Sequence, residues 1–311
     1  MGKPVLRLGA DDLWRVIKEL DPIDLRMAKL AHLAAGGGCR PGDRAAEAGE
    51  QPDDDLVLIE DPGGVDRCVI PWSILCLCHA VMTVALAAEE LLVPGETTVG
   101  LLASGDVAHC LLTMIACHLP GVGQVYLTAA SDQGPAPIDA RVRDLFDRAG
   151  IELSVVTTVD EATSGANLLI TTGPGHEDLV YRHLPRGALL VNVAGLDMPA
   201  DIVDRVDQIY VDDLGLLERN RHRRFVTVHL DGRVNGRCVS LRRGWGRHHN
   251  RCTWFDLRRI EADFGQVISG RHPGRTHLDD VLLFELLGVR ELDVALAEQI
   301  HRTARACGLG A

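Results

Sequence analysis

Between Thr97 and Ala108 the chain reads Thr-Thr-Val-Gly-Leu-Leu-Ala-Ser-Gly-Asp-Val-Ala, an apolar stretch that breaks into small residues and resumes as the apolar segment Cys110 to Cys117. A buried strand enters a helix in this way. The turn itself is Ala103-x-Gly105-x-x-Ala108, where the dinucleotide-binding fingerprint has Gly, Gly and Gly or Ala. Gly105 lets the main chain approach a pyrophosphate, Ala108 lets helix and strand pack closely, and the helix N-terminal amides face a negative ligand. Ser104, Gly105, Asp106 and Val107 are the expected pyrophosphate contacts. Alanine at position 103 obliges the turn to accept a Cβ, so an ordinary βα turn is the competing reading.

Further along, Thr171-Thr-Gly173 and Ala194-Gly195 are small enough for a nicotinamide and its ribose to lie across the edge of a sheet. Thr171, Thr172 and Gly195 are therefore expected beside the cofactor, against the simpler reading of tight turns. The segment Tyr126-Leu-Thr-Ala-Ala-Ser-Asp132 has no acid at the strand tip for ribose hydroxyls and no arginine for a 2'-phosphate. Thr128 and Ser131 can bond either form, so NAD and NADP both stay open. No metal is expected. Cys76 and Cys78 would point to different faces of a helix, and His248, His249 and Cys252 lack an evident fourth ligand.

The elements that must position these groups follow from hydropathy patterning. Residues 11 to 35 carry helical periodicity that ends at Gly36, and 36 to 55 read as a loop. Leu56 to Ile59 and Arg67 to Ile70 read as short strands joined by a turn at Asp61-Pro-Gly-Gly64, and Leu75 to Leu92 as a long helix. Strands are expected at Val99–Ala103, Gln124–Thr128, Leu153–Val156, Asn167–Thr171, Ala188–Val193 and Gln208–Val211, with a helix at Ile138–Ala149. Apolar strands alternating with helices predict an α/β fold, a Rossmann-type doubly wound parallel sheet.

Residues 219 to 251 differ in character, with ten arginines against the single acid Asp231. An exposed loop or hairpin is the plain reading, and a docking surface for a carrier protein or peptide the functional one. Asp279 to Ala306 reads as helical.

Composition narrows the classes. In 311 residues, 46% are apolar and 24% charged, as in ordinary globular chains. A net charge of −12 repels phosphate backbones, which makes nucleic acid an unlikely partner. No apolar run reaches membrane-spanning length, and the start lacks a signal-peptide core, so a cytoplasmic location is expected. The nine cysteines are odd in number and sit mostly in apolar stretches, as reduced core residues do.

Several segments together resemble the ornithine cyclodeaminase and mu-crystallin family. The tail carries Gly270-Arg-His-Pro-Gly-Arg275, then Asp279-Asp-Val-Leu-Leu-Phe-Glu-Leu-Leu-Gly-Val-Arg-Glu-Leu-Asp293, then Ala304-Arg-Ala-Cys-Gly-Leu-Gly310. Ala85-Leu-Ala-Ala88, Leu190-Val-Asn-Val-Ala-Gly-Leu-Asp197 and Ile209-Tyr-Val-Asp-Asp213 match the family's central segments. The Asp197-Met-Pro199 and Val211–Asp213 pairing looks most similar to the diaminopropionate-forming dehydrogenases. This resemblance implies an NAD(P)-binding domain at 93–270 carrying an Arg-rich insertion at 219–251. It also implies a discontinuous α+β substrate and dimerisation domain made of 1–92 with 271–311, a homodimer, and chemistry on an amino acid or its imine. Asp197 then takes the family's acid-base role, with a helix cap ahead of Pro199 as the alternative.

The chain departs from the pattern where substrate is held. The family's arginine at the helix before the Rossmann fold is replaced by His79, and no lysine follows Lys29. Histidine lacks the bidentate fork of arginine. Three readings stay open: His79 performs acid-base work, Arg67 takes the substrate carboxylate, or the chain binds nucleotide without catalysis.

Overall fold

The computed structural model describes residues 5–24, 26, 27, 30, 56–60, 67–128, 138–173, 176–193, 195–235, 260–288 and 294–309. The N-terminal part builds a small sheet from β1 (Val5–Arg7), β2 (Leu56–Glu60) and β3 (Arg67–Pro71), ordered β1-β3-β2. β2 and β3 pair antiparallel, as their hairpin reading requires, although the turn between them lies outside the described residues. Helix α1 (Ala10–Glu19) follows β1, and α2 (Trp72–Leu91) follows β3.

The large sheet then begins. Its first half comprises β4 (Thr97–Leu102), α3 (Gly105–His118), β5 (Val122–Thr128), α4 (Ala140–Ala149), β6 (Glu152–Val155) and α5 (Val159–Thr163). Its second half adds β7 (Leu168–Thr171), β8 (Leu189–Asn192), α6 (Ala200–Val203), β9 (Gln208–Val211) and α7 (Arg224–Asn235). The chain closes with β10 (Ile260–Asp263), α8 (Phe264–Ile268), β11 (Leu282–Glu285) and α9 (Val294–Ala306). The eight strands are all parallel, in the order β10-β9-β11-β8-β7-β4-β5-β6.

Burial explains why these segments are strands. Every residue of Leu189–Asn192 is buried, because successive side chains point to opposite faces and both faces are covered. Leu189 and Val191 enter a core shared with α1, α2, α3 and α9, while Leu190 enters a second core with α5, α6 and α7. Gly100 has no room for a side chain, since a Cβ there would meet the Ala162 carbonyl of α5.

After β4 the chain builds β5 and β6 on one side, then crosses to β7 on the other. That reversal opens a crevice beyond the carboxyl ends of β4 and β7, where open α/β sheets take their ligands. Thr171 is level with Leu102 on one side and Asn192 on the other, so the turns after β4, β7 and β8 emerge together.

Three expectations are corrected. Residues 282–285 are not helical and do not stay with the N-terminal unit: β11 is a central strand between β8 and β9, while α9 packs on α1 and α2. An apolar run buried on both faces has no periodicity to separate strand from helix. Where 219–251 was expected to be an exposed loop or hairpin, 224–235 form helix α7, whose Phe225, Val226, His229 and Leu230 bury one helical face; residues 236–251, with the second arm of that hairpin, lie outside the described residues. Finally, Trp72–Leu91 is long and apolar enough to cross a membrane by composition, but most of it is buried inside the protein, as in a core helix.

Arg275 ties the tail into this frame. Its guanidinium donates to the carbonyls of Leu91 at 2.8 Å and Gly187 at 2.9 Å, and to that of Asp280, joining the end of α2 to the entry of β8.

Candidate active site

The fingerprint turn has the shape a pyrophosphate needs. Gly105 opens α3 at φ +61, a left-handed conformation that costs any residue with a Cβ, and open space lies where that Cβ would stand. Ser104 occupies the N-cap position without a side-chain capping bond, so the first-turn amides, including those of Asp106 and Val107, carry no side-chain cap. Ala103 buries its methyl in the core at 5% exposure, which is how the turn absorbs the missing first glycine. Ala103, Ser104, Gly105, Ala108, His109, Leu127 and Ile138 line a small depression at this turn. The residues present thus fit a dinucleotide phosphate, with the exposed Asp106 carboxylate as the one opposing charge in the turn.

The other expected cofactor contacts divide. Thr128 is buried at 2% exposure, and its carbonyl accepts from the Ala103 amide at 3.2 Å, so it ties β5 to the turn. Ser131 lies outside the described residues. Thr171 ends β7, buried, with its hydroxyl unbonded among the described residues. The Thr172 amide and hydroxyl both donate to the Leu102 carbonyl, at 3.0 and 3.3 Å, which fastens that turn to the end of β4.

Beyond β8 every residue from 195 to 197 is held. Gly195, at φ +69, accepts on its carbonyl from Arg223 Nε at 3.2 Å. The Leu196 carbonyl accepts from Asn192 Nδ2 at 2.8 Å. His176 places one ring nitrogen 3.0 Å from the Asp197 carbonyl and the other 3.0 Å from that of Gly173. Both carboxylate oxygens of Asp197, an exposed residue, accept from the Arg224 amide at 3.1 and 3.2 Å. Asp197 therefore caps α7, whereas the short α6 after Pro199 has no side-chain cap.

Beneath this turn Arg223 and Glu285 form a fully buried pair. Arg223 Nη1 donates to Glu285 Oε2 at 2.8 Å, both side chains being 0% exposed, and Arg223 Nη2 donates to the Leu286 carbonyl at 3.1 Å. Asn192 Nδ2 also donates to Glu285 Oε2, at 2.8 Å. Burial pushes the Glu285 carboxyl up to about 8, against the pull of Arg223 and Asn192 and with further push from Asp197 and Asp212. Asp212 Oδ1 and Oδ2 accept the amides of Leu287 and Gly288 at 2.9 and 3.3 Å, closing the turn after β11.

His79 and Arg67 belong to the N-terminal unit. His79 lies partly exposed on α2, and Arg67 opens β3, its side chain lying outside the described residues. Sequence reasoning missed His109, His176, Asn192, Arg223 and Glu285. Two of them left a signal, since Asn192 and Glu285 interrupt apolar strands with a polar group at the carboxyl end. Arg223 was hidden among its arginine neighbours. Among the described residues, no cluster of side chains suits a metal ion.

A doubly wound parallel sheet with a small-residue turn at its switch point defines a Rossmann-type α/β fold. The model of the ornithine cyclodeaminase/mu-crystallin family matches residues 55–308, and the chain belongs to that family. A curated relative, the N-((2S)-2-amino-2-carboxyethyl)-L-glutamate dehydrogenase of Staphylococcus aureus, is 20% identical over 260 residues, covering 82% of this chain and 69% of its own. It stands in the branch that the Asp197–Pro199 and Val211–Asp213 segments resemble. The solved structure of CmnK superposes with a TM-score of 0.70 at 16% identity, covering 100% of this chain and 98% of its own. That of Thermococcus litoralis Δ1-pyrroline-2-carboxylate reductase, in complex with NADH and L-proline, gives a TM-score of 0.63 at 13% identity, covering 99% of both.

Proposed function

We propose that this chain is an NAD(P)-dependent oxidoreductase of the cyclodeaminase type, acting as a homodimer on an amino acid or its imine in a specialised biosynthetic pathway. One observation carries the reading. The uncapped turn at Gly105 and the exposed Asp197 stand at the ends of β4 and β8, which flank β7 in a single parallel sheet. A relative that is a dehydrogenase of an amino-acid conjugate, and a neighbour solved with NADH and proline, agree with it.

In this reading the amides of Gly105, Asp106 and Val107 hold the pyrophosphate, with Ser104 beside them. Thr171, Thr172 and Gly195 border the nicotinamide half. The bound dinucleotide supplies or accepts hydride at its nicotinamide ring. Asp197 takes the proton from the substrate amino group on oxidation, or returns it to the imine nitrogen on reduction. His79 and Arg67 are the residues this reading assigns to the substrate, with Arg67 as the carboxylate partner.

A second reading is a nucleotide-binding protein without turnover. The engagement of both Asp197 oxygens by the Arg224 amide, together with histidine at position 79, favours it. Absorbance at the nicotinamide band decides between them, measured with NADH or NADPH and a panel of imino acids formed from 2-oxo acids and ammonia. Turnover by the native protein is expected. Asp197→Asn should reduce it by about 100- to 10,000-fold while cofactor affinity by fluorescence stays within about twofold. Cofactor binding with no absorbance change across the panel would select the second reading.

A further inference from the structure

Asp197 is an exposed side chain on a short turn, yet its position is determined from below. Three consecutive carbonyls are each fixed by a side chain from a different part of the chain: Gly195 by Arg223, Leu196 by Asn192, and Asp197 by His176. The carboxylate itself is held by the amide of Arg224, the residue directly after Arg223. Among the described residues Arg223 is the largest side chain buried completely, and it uses all three guanidinium nitrogens: Nε on Gly195, Nη1 on Glu285 and Nη2 on Leu286. A single buried group thus sets both ends of the arrangement. Its side chain anchors the turn that carries Asp197, and its backbone presents the next amide to that carboxylate.

We propose that Arg223, braced by Glu285, is the positioning residue that aims the Asp197 carboxylate into the crevice. The proposal rests on the dehydrogenase reading for its catalytic consequence and on geometry alone for the positioning. Glu285 fixes the guanidinium plane, because Oε2 accepts from Nη1 while also accepting from Asn192. Asn192 then carries the same constraint to the Leu196 carbonyl, so the buried pair reaches the turn by two routes. The requirement is one of geometry: a planar fork reaches three acceptors in fixed directions, which a lysine ammonium cannot do.

The test uses the full-length protein in two variants. Arg223→Lys keeps the charge against Glu285 but cannot span the three acceptors. The double variant Arg223→Met with Glu285→Leu replaces the buried pair by apolar groups, a change that folded proteins tolerate well, and so guards against loss of fold in the first. Hydrogen exchange is measured on peptides covering 195–198 and on the Arg224 amide, and turnover and cofactor affinity are measured in parallel. Faster exchange confined to these amides is expected, with kcat reduced about 100-fold, as a displaced catalytic group allows, and with cofactor affinity within about threefold. Unchanged exchange in the double variant, or acceleration spread evenly over both cores, would overturn the positioning role, as would turnover within twofold of the native protein. If the native protein turns over no substrate of the panel, the exchange result still decides the positioning, and only the dehydrogenase reading is lost.

Discussion

At the scale of single residues, the site depends on a few backbone conformations more than on reactive side chains. Gly105 stands at φ +61 with open space where a Cβ would lie, so the missing atom both relieves the turn and leaves room beside it. Gly105→Ala should therefore cost about 1 kcal/mol of stability from the left-handed conformation. It should also weaken NADH binding at least tenfold, because the methyl enters the phosphate space. Thermal melting and fluorescence titration read the two effects separately; a melting change with unaltered cofactor affinity would place the pyrophosphate elsewhere. The glycine was legible in the sequence as part of a spaced motif, and so was the exposed Asp197. The partner of that carboxylate was not, because the Arg224 amide belongs to a helix whose existence the arginine-rich composition concealed.

At the scale of elements, β11 shows how a terminal segment completes a sheet that the rest of the chain leaves open. It fills the slot between β8 and β9, level with both along its whole length. Phe284 in its middle is 0% exposed and packs edge-on against Phe264 at 5.2 Å between ring centroids. Phe284→Ala should cost about 3–5 kcal/mol, the usual range for an emptied aromatic site, and denaturant unfolding measures it directly. A cost below about 1 kcal/mol would mean that β11 is dispensable to the core. The alternation of strand and helix from 97 to 213 was readable because each element there is bounded by small or polar residues. The run Leu282–Phe284 was not, since neither period is visible when both faces are buried.

At the scale of the whole molecule, the buried Arg223–Glu285 pair joins β8, β11 and the entry of α7 under the proposed site. The Glu285 carboxyl is held near 8 against an ordinary 4.5, so the folded protein binds this proton more tightly than the unfolded chain does. The stability it contributes is present in full below pH 4.5 and is lost as the pH rises through 8. Between pH 5 and 8 the native protein should lose more melting temperature than Glu285→Gln. Equal losses in the two proteins would assign the dependence to other groups.

What the sequence determined by itself was local: the strand and helix periods of the central domain, the small-residue turn at Gly105 and a family likeness spread along the chain. These survive in one dimension because each is written in neighbouring residues. Only the tertiary structure decided that residues 282–285 lie between β8 and β9, that Arg223 is fully buried, and that its neighbour's amide holds Asp197. Strand order and the burial of a charge depend on partners some 60 or more residues away, such as Glu285 for Arg223, and composition gives no record of such pairings.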